Sequence, residues 1–279
     1  MQVKFSRYEF SARLKSMLRV DMRRMFKTSF LYILLGCSFV MPILILVMTT
    51  MMDGTTSVNP QTGVETTVEG FDSVWQIIGT LSSSGAPSAD MGAAGMDMGL
   101  TTMCNINMLY FIISVLVCIF VSDEFRCGYA KNLFTVRADK TEYVISKTIV
   151  CTLGGAGMIL AFFVGSMLGG AICHGMADLS LEMVGFGVWE LVMCMLAKLV
   201  LVAVFVPIFL LVSVAAKEKA WLSILISLST GMLLFMMIPM ITPLDAGLLH
   251  VVLCLAGAVL FGWGLGAISK LVLDKTSVL

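Results

Sequence analysis

The sequence predicts an all-α polytopic membrane protein with six transmembrane helices, and three observations carry that prediction. Hydrophobic residues make up 58% of the chain and charged residues 13%. An ordinary soluble domain carries about 25% charged residues, so this chain lacks the polar groups to cover a soluble surface. Its apolar blocks reach the ~18–20 residues that cross a hydrocarbon core as a helix. The ~10-residue alternating segments of a transmembrane barrel are missing. The third observation is charge placement. With six spans, seventeen of the eighteen Lys and Arg fall on one side of the membrane. The positive-inside rule then puts both termini in the cytoplasm.

Residues 1–28 hold eight basic side chains, opposed only by Glu9 and Asp21. Phe10, Leu14, Met17, Leu18, Met25 and Phe26 recur at near-helical spacing. This reads as an amphipathic helix on the inner membrane surface, its basic groups meeting lipid phosphates. A signal peptide fits less well, because the basic region is long and the next apolar block is span-length. Residues 29–279 then read as one transmembrane domain, with no separate soluble domain. The first span is expected over 29–52, interrupted by Pro42, which neighbouring helices can accommodate. A fifty-residue outer loop, 53–102, follows with six acidic residues and no Lys or Arg. Within it, 71–81 is apolar enough for a short interfacial helix, and 82–100 reads as flexible loop.

The second span is expected over 103–122 and the third over 148–173. Between them, 123–147 is a charge-rich cytoplasmic segment with Arg126, Lys131, Arg137, Lys140 and Lys147. The third span contains Gly165 and Gly169, a small-xxx-small pair that lets helices approach closely in lipid. General tolerance of glycine in membranes explains it equally well. The fourth span, 188–216, carries Glu190 and Lys198. The fifth, 221–241, leads into an outer turn at Pro239, Pro243 and Asp245. The sixth, 246–268, stacks Ala258, Gly262 and Gly266 at i, i+4 and i+8 as a second candidate packing face.

Little catalytic chemistry is legible. No phosphate-binding GxxxxGK[ST] loop, GxSxG elbow or HExxH pair is present. With only His174 and His250, a histidine metal site is not expected. The loop methionines Met91, Met96, Met98 and Met103 offer soft thioether ligands, but Met is common throughout the chain. No metal and no cofactor bound by this chain is therefore predicted. Five of the eight cysteines lie in apolar blocks, where they act as small hydrophobes. Cys104 and Cys173 both fall near the outer face, where a bridge is conceivable and geometry decides. Lys198 has two readings. An ionisable group at membrane depth marks a polar path or subunit interface; alternatively, Lys198 snorkels outward from a helix that starts outside the bilayer, the reading the sequence favours. Glu190 lies two turns earlier, about 12 Å along the axis, too far to pair directly.

The segment 123–147 resembles membrane subunits of ATP-binding-cassette exporters of the second permease type. Their pattern, EFxxGxxKNLL followed by a basic residue and Y..SK, is matched by Glu124, Gly128, Lys131, Asn132, Leu133, Tyr143, Ser146 and Lys147. The family's proline is replaced by Val136-Arg137-Ala138. Arg23-Arg24-Met25-Phe26-Lys27-Thr28 is similar to the basic elbow helix that precedes the family's first span. The resemblance implies a permease in the bacterial plasma membrane that exports peptides, drugs or lipids, with self-protection against antimicrobial peptides as one such use. It implies two cytoplasmic ATPase subunits, which would carry ATP and Mg²⁺, and a second permease copy or a sister permease. It also implies a coupling helix around Glu124–Leu133, with Glu124, Phe125, Gly128, Lys131, Asn132, Leu133, Arg137, Lys140 and Tyr143 as the residues that couple the spans to the ATPase. Glu124, at the membrane edge, would pair with the elbow helix.

Two other classes compete. An ion-coupled secondary transporter predicts several intramembrane carboxylates and an internal repeat, of which Glu190 is the only trace. A non-transporting scaffold or sensor predicts that no ATPase accompanies the chain. No nucleic-acid partner is expected.

Overall fold

A computed structural model of the protein describes residues 7–58, 65–67, 70–81, 104–136, 140–217, 219–235 and 237–276. Two helices open the chain, α1 (Arg7–Lys27) and α2 (Ser29–Met52). After the outer loop come α3 (Leu109–Arg126), α4 (Tyr129–Val136) and α5 (Thr141–Ala177). The chain closes with α6 (Val188–Ala216), α7 (Ala220–Phe235), α8 (Ile238–Ile241) and α9 (Leu248–Thr276). Five helices are long and apolar enough to cross a membrane, and α7 is a shorter apolar helix. The sequence also predicts a span over 221–241. In the structure that segment is divided, with Pro239 in the first turn of α8. The predicted flexible stretch 82–100 lies outside the described residues.

Burial grades the helices. In α3, 61% of the span is enclosed by protein, against 6% in α9. α3 packs between α6 and α7, α2 lies along α5, and α9 lies along α6. α1 rests on the end of α5 where the basic residues gather. The core is aliphatic and aromatic, with Tyr110, Ile113, Val117, Phe162, Phe205 and Phe209 at its centre.

Glycines set the α2–α5 crossing. A Cβ at Gly165 would sit 2.1 Å from the Phe39 carbonyl oxygen, and one at Gly169 would sit 3.0 Å from the Ile43 Cα. Backbone meets backbone there, as small residues permit in lipid. The trio Ala258, Gly262 and Gly266 behaves differently. A Cβ at Gly262 meets nothing within 4 Å, and one at Gly266 first meets Val144 at 3.8 Å. The expected close packing is not made by this face, because α9 turns Cys254, Ser269 and Leu273 inward instead.

The segment between α2 and α3 corrects the all-helical expectation. Thr56–Val58 and Glu65–Thr67 pair as an antiparallel two-stranded hairpin, with Thr56 opposite Thr67. The predicted interfacial helix at 71–81 is a single 3₁₀ turn, Val74–Ile77, with Val74, Trp75 and Ile77 buried. It does not lie on lipid. The Val74 amide donates to the Ser180 carbonyl, the Trp75 indole to the Leu181 carbonyl, and the Leu244 amide to the Thr80 carbonyl. These bonds seat the turn as a plug across one end of the bundle. Gly170 makes room for it, since a Cβ there would come within 2.4 Å of Val74.

Candidate functional site

The basic end of the bundle is built around a buried ion cluster. Asp21 of α1, Glu124 of α3 and Lys147 of α5 are each fully enclosed. The Lys147 ammonium donates to Asp21 Oδ1 at 2.7 Å and also to Glu124 Oε1. Arg24 of α1 donates to the same Glu124 oxygen at 2.6 Å. Tyr143 donates its hydroxyl to Glu124 Oε2 at 3.0 Å, and Ser146 donates to Asp21 Oδ2 at 2.6 Å. Two carboxylates thus face two cations. An uncompensated charge in a buried site is strongly unfavourable, whereas a paired and hydrogen-bonded set is tolerated. Arg13 and Glu142 form a further ion pair at 3.1 Å between α1 and α5.

Local sequence explains each position. Met17, Asp21 and Met25 are spaced i, i+4 and i+8 and share one helical face. All three are buried, so the apolar stripe of α1 carries an acid at its centre. Glu124 ends an apolar helix, and Lys147 stands in the second turn of α5. That helix begins at Thr141, earlier than the predicted span, because the cluster satisfies its polar first turns.

The helix expected around Glu124–Leu133 is two helices. α3 stops at Arg126, Cys127 and Gly128 form the corner, and α4 restarts at Tyr129. Gly128 has φ +72°, the left-handed region where a side chain is disfavoured. α4 then offers two faces. Ala130 is buried, and the Phe134 ring meets Tyr143 edge-on at 5.2 Å. Arg24 lies over the Tyr129 ring, 4.3 Å from its centre, so one guanidinium touches α3 and α4 together. Lys131, Asn132 and Thr135 are exposed on the other face.

The predicted coupling residues therefore separate. Lys131 and Asn132 lie on the surface, and Leu133 and Gly128 are half-buried. Glu124, Phe125, Lys140 and Tyr143 are buried. The side chains of these four face neighbouring helices and not the surface. Lys140 donates to the Leu273 carbonyl at 2.8 Å and pairs with Asp274 at 3.2 Å, tying the α4–α5 connection to the end of α9. Arg126 pairs with Asp123 on its own helix at 2.8 Å. Arg137 lies outside the described residues. Asp21 is the member of the buried cluster that the sequence reading leaves unassigned; its place on the Met17–Met25 stripe is the signal for it.

Lys198 forms a second polar point, near the opposite end. Its side chain is fully buried in α6 and donates to Asn107 Oδ1 at 3.0 Å, Thr242 Oγ1 at 2.9 Å and the Thr242 carbonyl at 3.3 Å. Tyr110 donates to the Lys198 carbonyl at 3.0 Å. The snorkelling reading is thereby corrected, since neutral oxygens inside the bundle hold the ammonium. Glu190 does not join it: its carboxylate accepts the Gly187 amide at 2.7 Å and caps its own helix. Cys104 and Cys173 are both free thiols. His174 Nδ1 lies 2.9 Å from the Leu179 carbonyl, and His250 Nδ1 accepts from the Gly247 amide at 3.2 Å.

Comparison with known proteins gives the family. No curated protein and no solved structure shows significant similarity to the chain. The model of the ABC-2 family transporter protein matches residues 22–233, from α1 into α7, with α4 and all of the buried cluster except Asp21 inside the match. That is well over half of the sequence, and the chain belongs to the ABC-2 family of transporter proteins, as a multi-pass membrane permease.

Proposed function

We propose that this chain is the membrane-spanning subunit of an ATP-driven exporter, worked by separate ATPase subunits that dock on the exposed face of α4. The observation that carries the reading is the construction of α4. It is a short two-faced helix hung between α3 and α5, with Lys131 and Asn132 outward and Arg24 gripping both Tyr129 and Glu124.

In this reading the basic end faces the cytoplasm, α7 with α8 completes a sixth span, and both termini are inside. That orientation accords with the positive-inside rule. Two copies, identical or paired with a sister permease, work with two ATPases in a bacterial plasma membrane. ATP closes the ATPase pair and pushes α4. The push reaches α1, α3 and α5 together, because the Arg24–Glu124–Lys147–Asp21 chain joins all three through short charged contacts. Movement of a peptide, drug or lipid outward follows from the opening of the spans.

The test is co-purification of the full-length chain with the ATPase encoded beside it, followed by ATP turnover of the pair. Charge reversal Lys131→Glu is expected to weaken ATPase capture at least ten-fold while leaving the permease folded. Undiminished capture and turnover in that variant would sink the docking assignment. Absence of any ATPase in the purified complex would return the chain to the scaffold or ion-coupled classes.

A further inference from the structure

Helices α6 and α7 form a hairpin whose two sides differ. On the side facing the bundle, Ser213 and Ser223 are fully buried and their hydroxyls lie 2.9 Å apart in a hydrogen bond. The other side is an open groove of about 270 Å³. Leu211, Val212, Ala215 and Ala216 of α6 form one wall, and Leu222 and Ile226 of α7 form the other. The α6 residues lie on one helical face and span about 8 Å of its axis. Every lining side chain is apolar, and the two alanines leave the space. The turn that closes one end reads Lys217-Glu218-Lys219, of which Glu218 lies outside the described residues. Lys217 takes φ +54°, a conformation that is costly for a residue with a side chain. Its amide donates to the Ser213 carbonyl at 3.0 Å, and the Lys219 amide donates to the Ala216 carbonyl at 3.2 Å. The backbone of the turn is thus pinned to α6. Both lysine side chains are without a hydrogen bond or an ion pair among the described residues. Trp221, in the first turn of α7, is 67% exposed beside them.

We propose that the α6–α7 groove seats an acyl chain of an anionic phospholipid whose phosphate is held by Lys217 and Lys219. Three observations favour this occupant over a helix of a second copy. The site has the polarity of such a lipid, with free cations at one end and only apolar side chains beyond them. The groove is about 8 Å long, enough for part of a flexible chain and far short of a span. The charged turn directly follows an apolar span of 29 residues, which puts it at a membrane boundary, where exposed tryptophan is the expected companion and basic pockets between spans bind anionic headgroups. This placement needs only that α6 crosses the membrane, so the site stands independently of ATPase docking. A lipid seated here lies against α7, whose other side packs on α3, the helix that leads into α4.

The full-length protein in bilayers tests this through Trp221 fluorescence. Phosphatidylglycerol or phosphatidylcholine, brominated at the same acyl positions, is added at increasing mole fraction. The Trp221 contribution is taken as the difference from Trp221→Phe. The turn carries one net positive charge, so half-quenching is expected at a roughly five-fold lower fraction for phosphatidylglycerol. The double change Lys217→Gln with Lys219→Gln should remove that preference. Ala215→Leu, at an exposed position of the wall, should also remove it by filling the groove with both lysines in place. Equal half-quenching by the two lipids in the unaltered protein overturns the proposal. A preference that survives the double lysine change places the selection elsewhere, and one that survives Ala215→Leu reduces it to attraction by a charged surface; either result overturns the groove as the site. Efficient disulfide formation between two copies of Ala215→Cys, made with the eight native cysteines replaced by Ala, also overturns it, by making a second copy the occupant.

Discussion

The ammonium of Lys147 and the carboxylate of Asp21 meet at 2.7 Å with neither side chain exposed, although 126 residues separate them in the chain. The pair fastens α1 to α5, and through Glu124 it fastens both to α3. Lys147→Met would leave two carboxylates facing each other with Arg24 as their remaining cation. Breaking a buried pair from one side costs about 3–5 kcal/mol, so the apparent melting midpoint of the purified permease should fall by roughly 10 °C. Adding Asp21→Asn should restore part of the loss, because it removes the stranded charge. A thermal-denaturation comparison of the single and double variants checks this. A double variant no more stable than Lys147→Met alone would show that the two residues do not act as a pair.

At the α2–α5 crossing the constraint is steric. A methyl group at Gly165 has no room beside the Phe39 carbonyl, and backbone on both sides cannot rotate away. Gly165→Ala should cost about 1–3 kcal/mol through forced separation of the helices and lower the yield of folded protein. Gly262→Ala enters open space and should leave the yield unchanged. Size-exclusion profiles of the two variants, prepared side by side, decide whether crossing geometry rather than glycine itself matters.

Much of this architecture was legible in the sequence because hydropathy and charge act locally. The helix boundaries of α2 and α6 coincide with the apolar blocks 29–52 and 188–216. What local pattern could not supply was the pairing of distant polar groups. The one acid near Lys198 on its own helix, Glu190, is too far to reach it, and its partners Asn107 and Thr242 lie 91 and 44 residues away. By composition Asp21 is one acid among many bases on an amphipathic helix, whereas its spacing from Met17 and Met25 marks it as buried. Strands of three residues carry no usable alternation, so the hairpin was hidden. The segment 71–81 reads as interfacial from its sequence because the carbonyl that receives the Trp75 indole, on Leu181, is 106 residues distant.

Gly128 allows a backbone effect to be isolated. It has φ +72° and nothing within 4 Å of where a Cβ would stand, so Gly128→Ala meets no neighbour and changes only conformational preference. The left-handed corner then costs about 1–2 kcal/mol, biasing α4 away from its present angle to α3. Permease-dependent ATP turnover should fall several-fold while the melting midpoint drops by only a few degrees. Gly128→Asn, a residue that tolerates this conformation better, should retain more turnover than Gly128→Ala. Equal turnover in all three proteins would mean that the corner angle does not govern coupling.

Lys198 holds three elements with one ammonium: the 3₁₀ turn at Asn107 that leads into α3, the body of α6, and the turn at Thr242. Lys198→Met keeps most of the volume but leaves the Asn107 and Thr242 oxygens without their donor. Hydrogen bonds to a charged group contribute about 1.5–3 kcal/mol each, and a buried acceptor left bare adds its own desolvation cost. The turn at Thr242 should therefore open more often. Cys194 and Cys254 report the opening, since both are buried free thiols beside this site. With the other six cysteines replaced by Ala, labelling by a membrane-impermeant maleimide should rise at least ten-fold in Lys198→Met, and the rise should disappear when Cys194 and Cys254 are replaced as well. Labelling that stays at the level of the unaltered protein would show that hydrophobic packing of α8 and the plug around Trp75, rather than Lys198, keeps this end of the bundle closed.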